Sequence, residues 1–301
     1  MSNFETQRIL HCIWAKNAFL NFVVSECSPE EVSNIQHISD SWNNSRDKFL
    51  ELSKHTKFIC KAIEVRNIPK EYNSRIEEAR NNPAFKSAFN HAPVEFKIVE
   101  IDKMVASQNM INLTHADTLM KTFPKKLDFD AVFDICLNMD KEVPKTSEIF
   151  TQKHAIYTSA NTDLRFLGSV PATPEVLEEA HIRTGGLPAK VIMLIFGFGA
   201  TPINLLSYDG KMFLNNGFHR VYALRKAGIT HIPVVVQKIT NPTIEMPKVY
   251  NNLTLDQILT ADRLPVIQDF FDDDLVIDLK IKSKRKAVKV SWEVEDMIIP
   301  M

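Results

Sequence analysis

Residues 213–236 read FLNNGFHRVYALRKAGITHIPVVV, and this stretch predicts a strand, a tight turn, a helix and a second strand in succession. The first strand ends at Leu214, and the helix begins near Phe218. Gly228 is placed to end the helix in the left-handed conformation, and the valines after Pro233 predict a buried strand. A β-turn-α-β unit therefore lies at the centre of the fold.

The turn of this unit, residues 215–220, has the residue types of an anion-binding site. The turn contains a glycine, and the first N–H groups of the helix that follows it have no partner within the helix. His219 and Arg220 can both carry positive charge at the positive end of the helix dipole. Phosphate is the ligand that such a helix start accepts most naturally. The candidate phosphate-binding residues are therefore Asn215, Asn216, Gly217, Phe218, His219 and Arg220.

The regions before this unit differ in their periodicity. Over the first 90 residues the apolar positions recur every three or four residues, as in amphipathic helices, and Ser28 before Pro29 is typical of a helix start. Residues 96–101 are rich in β-branched residues and predict a strand. We expect a helical region over 1–92, a mixed core over 93–240 with a helical insertion at about 115–190, and an extension over 241–301.

Two further patterns predict strands. Apolar residues alternate over 275–281 and again over 288–294, which predicts a C-terminal β-hairpin with one buried face. The run Val191–Phe196 is apolar throughout, as in a strand buried on both faces. Helical and β patterns occupy separate stretches, so the predicted fold class is α+β.

Composition excludes several classes of protein. With 301 residues, 45% hydrophobic and 24% charged, the chain is predicted to be globular rather than disordered. The formal net charge of −1 excludes a basic surface over the whole protein. The longest apolar run is too short to span a membrane, and the first residues lack a signal-peptide pattern. Four cysteines without metal-ligand or disulfide spacing predict a reducing, cytoplasmic location.

Two charged stretches have alternative interpretations. Asp272, Asp273 and Asp274 could suggest a divalent cation site, but three consecutive carboxylates cannot converge on one ion, so a solvated turn is expected. A dense basic patch could contact nucleic acid, but charges at strand edges also prevent aggregation. This patch consists of Lys280, Lys282, Lys284, Arg285, Lys286 and Lys289.

The segment Asn216-Gly217-Phe218-His219-Arg220, followed by a helix of small residues and by Thr230-His231-Ile232-Pro233, resembles the signature box of the ParB/sulfiredoxin-like fold family. Residues 98–105 are similar to the first strand box of that family. The two boxes cover about 40 residues. The resemblance implies a small α+β nucleotide-binding core in which Gly217, His219 and Arg220 contact the phosphates.

The sequence also departs from this family pattern. Asn216 stands where many members have an acidic residue. Phe218 occupies the place of the sulfiredoxin-type cysteine, so sulfinic acid reduction is not expected. The carboxylate that kinase-like members carry after the first strand box is replaced by residues 107–109, which read Ser-Gln-Asn.

The resulting functional hypothesis is a cytoplasmic protein that binds a nucleotide (ATP, ADP or CTP) or another phosphorylated small molecule. It would catalyse phosphoryl transfer or phosphate-ester or anhydride hydrolysis with Mg²⁺, with His219 and Arg220 as catalytic residues. The sequence does not identify metal ligands. The alternative is a nucleotide-gated module without catalysis that binds DNA or a protein, DNA being the less favoured partner. A homo-oligomer formed through the N-terminal helices is a further expectation, and a membrane partner is not expected.

Overall fold

The computed structural model describes residues 4–90, 93–137, 139, 143–159, 164–199, 202–246, the backbone of 249–250, 253–284 and 286–296. The chain divides into two compact units, each described here by itself. Unit 1 comprises Met1–Asp140 with Thr201–Ser283, and unit 2 comprises Lys141–Ala200 with Lys284–Met301. The predicted boundaries at 92/93 and 240/241 fall within unit 1, and the first of them includes residues 91–92, which lie outside the described residues.

Helices of 4 to 21 residues are distributed over both units. The α-helices are α1 (Lys16–Glu26), α2 (Pro29–Ser33), α3 (Ile35–His55), α4 (Asn73–Asn81), α5 (Pro83–Ala88), α6 (Leu113–Thr122), α7 (Phe129–Leu137), α8 (Glu175–Glu179), α9 (Phe218–Lys226), α10 (Pro242–Glu245) and α11 (Leu255–Thr260). Short 3₁₀ helices lie at His11–Ile13, Ile59–Ala62, Lys70–Tyr72 and Ile267–Phe271. None of the described helices is both long and apolar enough to cross a membrane.

The strands belong to several small sheets. They are β1 (Phe4–Ile9), β2 (Val65–Asn67), β3 (Val94–Glu100), β4 (Met110–Asn112), β5 (Thr146–Phe150), β6 (His154–Ser159), β7 (Leu164–Ala172), β8 (Val191–Phe198), β9 (Asn204–Tyr208), β10 (Lys211–Asn216), β11 (His231–Lys238), β12 (Val249–Tyr250), β13 (Leu253–Thr254), β14 (Ile277–Lys282) and β15 (Lys286–Ser291). The fold combines these helices with several small sheets whose strand pairs are mostly antiparallel, so the fold class is α+β, as predicted.

Unit 1 is organised around a mixed five-stranded sheet with the order β10-β9-β11-β3-β2. Strand β11 is central: it pairs in parallel with β9 and antiparallel with β3. A second sheet of unit 1 has the order β14-β1-β4. The main apolar core contains side chains of β3, β9 and β11 together with those of α7 and α9.

The β-turn-α-β unit predicted from residues 213–236 is present as β10, α9 and β11. Val221 and Leu224 of α9 are fully buried in the main core. Gly228 has a φ of +90°, and the N–H of Ile229 donates to the carbonyl of Leu224 at 3.0 Å. The predicted left-handed end of this helix is therefore confirmed.

The N-terminal region is mainly helical, as predicted, and Ser28 caps α2 by accepting a hydrogen bond from the N–H of Glu31. The prediction of helix is wrong, however, for residues 4–9. They form β1, which lies between β14 and β4, and these two partners are more than 100 residues away in the chain. Pairing on both edges decides the conformation of this segment, and such pairing leaves no local pattern in the sequence.

The predicted C-terminal hairpin is also wrong. Both alternating segments are strands, but they do not pair with each other. Strand β14 pairs with β1 in unit 1, whereas β15 pairs with β6 in unit 2. Alternation of apolar residues shows that one face of a strand is buried, but it does not identify the neighbouring strand.

Unit 2 contains the three-stranded sheet β15-β6-β5 and the two-stranded sheet β7-β8. Strand β8 includes the apolar run Val191–Phe196, and here the predicted burial on both faces is wrong. Residues 192–195 are all exposed, and the other residues of β8 are at most partly buried. By contrast, the comparable run 232–236 of β11 is buried throughout.

Candidate functional site

The candidate site is the turn at which β10 ends and α9 begins. Gly217 forms this junction with a φ of +95°, a left-handed conformation that favours glycine. A side chain here would also collide with the core, because a Cβ atom on Gly217 would lie 2.7 Å from Cγ1 of Ile203. Both the backbone conformation and the packing therefore require glycine at the start of α9.

Two asparagines precede this glycine at the end of β10. The exposed Asn215 donates from Nδ2 to Oδ1 of Asn204 at 2.7 Å, and Nδ2 of Asn204 donates to Oε1 of Gln237 at 3.0 Å. Asn216 donates from Nδ2 to the carbonyl of Pro202 at 3.0 Å. A chain of side-chain hydrogen bonds therefore runs from β10 through β9 to β11, and together with the bond of Asn216 it holds the end of β10 in place.

Phe218, the first residue of α9, contributes only its backbone to the turn. Its ring is buried and packs edge-to-face against Phe270, with the ring centroids 5.6 Å apart. The side chain thus anchors the helix start in the core. The backbone N–H groups of the first turn remain the groups of α9 that can face a ligand.

His219 is largely buried beside β4 and α6. Its Nε2 accepts a hydrogen bond from the backbone N–H of Asn112 at 3.1 Å, so the neutral ring carries its proton on Nδ1. Burial, together with a smaller charge repulsion from the neighbouring His115, lowers the pKa of His219 from 6.5 to about 4. The His115 ring lies edge-on, 5.0 Å between centroids.

The imidazole of His219 is therefore neutral near pH 7. The sequence pattern predicts a side chain that can carry positive charge, and the structure differs because the ring is desolvated. A neutral imidazole can still act through its remaining N–H, which can donate a hydrogen bond to an anionic oxygen.

Arg220 extends from α9 to the C-terminal end of α7. Its Nη1 donates to the carbonyl of Ile135 at 3.1 Å. Burial lowers the pKa of the Arg220 guanidinium, but an arginine side chain keeps its proton in proteins. A positive charge at the C-terminal end of a helix is stabilised by the helix dipole, so Arg220 links α9 to α7.

The structure adds residues that the sequence pattern did not single out. Asn112 caps α6 by accepting a hydrogen bond from the N–H of His115, and its backbone N–H reaches His219. An asparagine before a helix is a recognisable capping signal. Its position next to His219, however, depends on a separation of 107 residues and could not be predicted.

Neither of the two most prominent cavities of the described structure includes a residue of the turn. One of about 380 Å³ is lined by residues of α4 and neighbouring strands, including Asn67, Arg80 and Phe96. The other, of about 280 Å³, lies between α3 and α11 and includes Phe49 and Arg263. Within the turn, Asn215 is exposed, Phe218 is buried and the other four residues are partly buried.

Within the part of the chain that the structure describes, no group of three or more histidine, cysteine, aspartate or glutamate side chains is arranged to hold a metal ion. Asp273 and Asp274 instead pair with Arg8 and Lys48 at 3.7 and 3.9 Å, and residues 273–275 form a turn. The interpretation of the acidic run as a solvated turn is confirmed.

The basic patch is divided between two sheets. Lys280 and Lys282 lie on β14 in unit 1, and Lys280 pairs with Glu30 at 2.9 Å. Lys286 and Lys289 lie on β15 in unit 2, and Arg285 lies outside the described residues. The patch therefore does not form the single hairpin tip that the sequence predicts.

Comparison of the chain with models of known protein families, with curated proteins and with solved structures gave no match. The geometry of the turn and the resemblance of its residues to the ParB/sulfiredoxin-like signature are therefore the grounds on which a function is inferred.

Proposed function

We propose that this protein binds a nucleotide or another phosphorylated small molecule, and that the phosphate groups bind at the Asn215–Arg220 turn. ATP, ADP and CTP are the nucleotides that the ParB/sulfiredoxin-like resemblance favours. The observation that carries the proposal is the left-handed Gly217 between β10 and α9. It begins a nine-residue helix directly after Asn215 and Asn216, and the first N–H groups of such a helix have no partner within it.

The proposed reaction is phosphoryl transfer or hydrolysis of a phosphate ester or anhydride. Neutral His219 would donate a hydrogen bond from Nδ1 to a phosphate oxygen. Arg220 would supply positive charge to the transferring group, which requires its guanidinium to turn from the carbonyl of Ile135 towards the ligand. Both contributions stabilise charge, as phosphoryl transfer requires.

The residues of the turn suit a phosphate group better than a metal ion. They provide N–H donors and a guanidinium but no carboxylate, whereas Mg²⁺ prefers oxygen ligands. Any Mg²⁺ would be held by the phosphate oxygens of the nucleotide and by water. No step of the proposed chemistry is assigned to a metal.

The contacts of His219 and Arg220 favour a second candidate, a nucleotide-gated module without catalysis. One side chain contacts the N–H of Asn112 on β4, and the other contacts the end of α7. A phosphate that drew either side chain to the turn would break its present hydrogen bond. Ligand binding would then change the stability of β4 or α7, which is the property that a switch needs.

The test is a thermal-shift and calorimetric titration with ATP, ADP, CTP and sugar phosphates, with and without Mg²⁺. A ligand that binds only the folded protein raises the melting temperature by mass action. The exposed Asn215 gives the sharpest variant, because Asn215→Asp places a negative charge in the turn. We expect it to weaken binding by about tenfold or more.

Asn43→Asp is the matched control. It adds the same charge at an exposed position of α3, where the side chain already accepts a hydrogen bond from Lys16. This control should bind the ligand as the parent protein does. The absence of any shift at millimolar ligand, or equal affinity in both variants, would contradict the proposal.

A measurement of phosphate release distinguishes the catalytic function from the gated module. Turnover that falls in His219→Gln supports catalysis. Binding without turnover, accompanied by changed amide hydrogen exchange in α7, supports the gated module.

A further inference from the structure

Unit 2 exposes large apolar side chains on the two-stranded sheet β7-β8. The most exposed of them is Ile192, at 69%. The exposed apolar residues of this sheet are Phe166, Leu167, Val170, Ile192, Met193, Leu194 and Ile195. With each of these side chains about half exposed, the sheet presents roughly 500 Å² of apolar side-chain surface. Because successive residues of a strand point to opposite faces, this surface is divided between the two faces of the sheet, with Ile192 and Leu194 on one face and Met193 and Ile195 on the other.

The two strands of this sheet differ in how their edges are protected. Strand β7 carries Arg165 and Pro171, and its register is broken by a bulge between Phe166 and Gly168. Charges, prolines and bulges are the features by which proteins keep edge strands from pairing. Strand β8 reads VIMLIFGF and has neither a charge nor a proline.

Strand β8 also has an edge available for pairing. Within the described residues its hydrogen-bonded neighbour is β7 alone, so the backbone groups of its other edge face away from the sheet. A two-stranded sheet is marginally stable by itself, and its stability increases when a further strand is added. The available edge and the unprotected sequence therefore belong to the same strand.

We propose that β8 pairs with the β8 strand of a second copy of this chain. The two strands would run antiparallel about a two-fold axis, and the two β7-β8 sheets would join into one four-stranded sheet. In an antiparallel pair about a two-fold axis, each residue of β8 lies opposite the residue at the mirrored position of the same strand, so like charges would meet only if the strand carried charges. The uncharged sequence of β8 permits self-pairing in every register.

The geometry of the edge agrees with this occupant. Antiparallel pairing would satisfy the backbone groups at the open edges of both β8 strands and place the apolar side chains of the two strands side by side on each face of the joined sheet. A lipid bilayer is a poorer occupant, because the backbone N–H and C=O groups at the edge of β8 would lose their hydrogen bonds in hydrocarbon. A second strand satisfies those groups.

The experiment uses the full-length protein in sedimentation velocity, from about 1 to about 100 µM, with a monomer mass of 34.4 kDa. We expect the parent protein to double its mass over this range. The double variant Ile192→Lys, Leu194→Lys places two charges on one face of β8 and should raise the dimer dissociation constant about tenfold or more.

A charge-complementation arm makes the test specific for self-pairing. Ile192→Glu, Leu194→Glu should also be monomeric alone, and an equimolar mixture of the Lys and Glu variants should recover the dimer. The control Ile182→Lys, Leu187→Lys adds the same charge at two other exposed apolar positions of unit 2 and should dimerise like the parent protein.

Three results would overturn the proposal. The first is a parent protein that stays monomeric at the highest concentration. The second is a dimer that persists in the β8 Lys variant or is lost equally in the control. The third is binding of the parent protein to phosphatidylcholine vesicles without any increase in mass in their absence. Unchanged far-ultraviolet circular dichroism ensures that loss of the dimer is not loss of the fold.

Discussion

Strands β11 and β8 have similar apolar sequences and opposite environments. Residues 232–236 of β11 are buried between β9 and β3, whereas residues 192–195 of β8 are exposed on a two-stranded sheet. An uninterrupted apolar run therefore indicates that a strand is suited to burial, but it does not say what covers it. The two strands that flank β11 belong to the same chain. For β8, which pairs with β7, we infer that a second copy of the chain supplies the other neighbouring strand.

The largest expected effect is on the free energy of unfolding, and it is measured with one substitution in β11 and one in β8. Ile232→Ala removes a fully buried side chain from β11 and should lower the free energy of unfolding by about 2–5 kcal/mol. Ile195→Ala in β8, where the side chain is 45% exposed, should cost about 0.5 kcal/mol or less. Urea denaturation at low protein concentration measures both, and equal losses would show that β8 is part of a packed core.

A smaller effect on stability is expected from the two glycines that flank α9 in unit 1. Both Gly217 and Gly228 have a positive φ, but only Gly217 packs closely against the core. Gly217→Ala should lower the free energy of unfolding by about 2–4 kcal/mol, because backbone strain adds to the collision with Ile203. Gly228→Ala has nothing within 4 Å of the new Cβ and should cost about 1–2 kcal/mol from strain alone. Thermal denaturation measures both variants. Equal losses of stability would show that the close contact between residue 217 and Ile203 adds no cost.

The smallest effect concerns burial of a titrating group. The pKa of His219 is lowered to about 4 in the folded protein from its ordinary value of 6.5. Between these values the unfolded chain binds more protons, so this contribution to stability is complete above pH 6.5 and is lost as the pH falls towards 4. At about pH 5, roughly 1.5 pH units below the ordinary pKa, the loss should be about 2 kcal/mol.

His219→Gln should reduce this pH dependence, because glutamine can still accept a hydrogen bond from Asn112 but does not titrate. Denaturation midpoints at several pH values measure the slope. The exposed His55 at the end of α3 serves as the control, and His55→Gln should leave the slope as it is. A parent-like slope in His219→Gln would show that the ring is solvated like an ordinary surface histidine.

The candidate site was predictable in its backbone but not in its side-chain contacts. The sequence of Asn215–Arg220 predicts a strand end, a glycine turn and a helix start, because these depend on residues only a few positions apart. The neutral state of His219 and the contact of Arg220 with Ile135 depend on groups 107 and 85 residues away. Spacing along the chain carries no signal for such contacts.

The sequence by itself determined the α+β class, the β10-α9-β11 unit and the left-handed Gly228 that ends α9. Each follows from local propensity, capping or periodicity, which act over a few residues. Only the tertiary structure decided that β14 pairs with β1 and β15 with β6, and that β8 is exposed. The physical reason is that alternation specifies which face of a strand is apolar, whereas the partner and the degree of burial depend on which distant segments reach that face first.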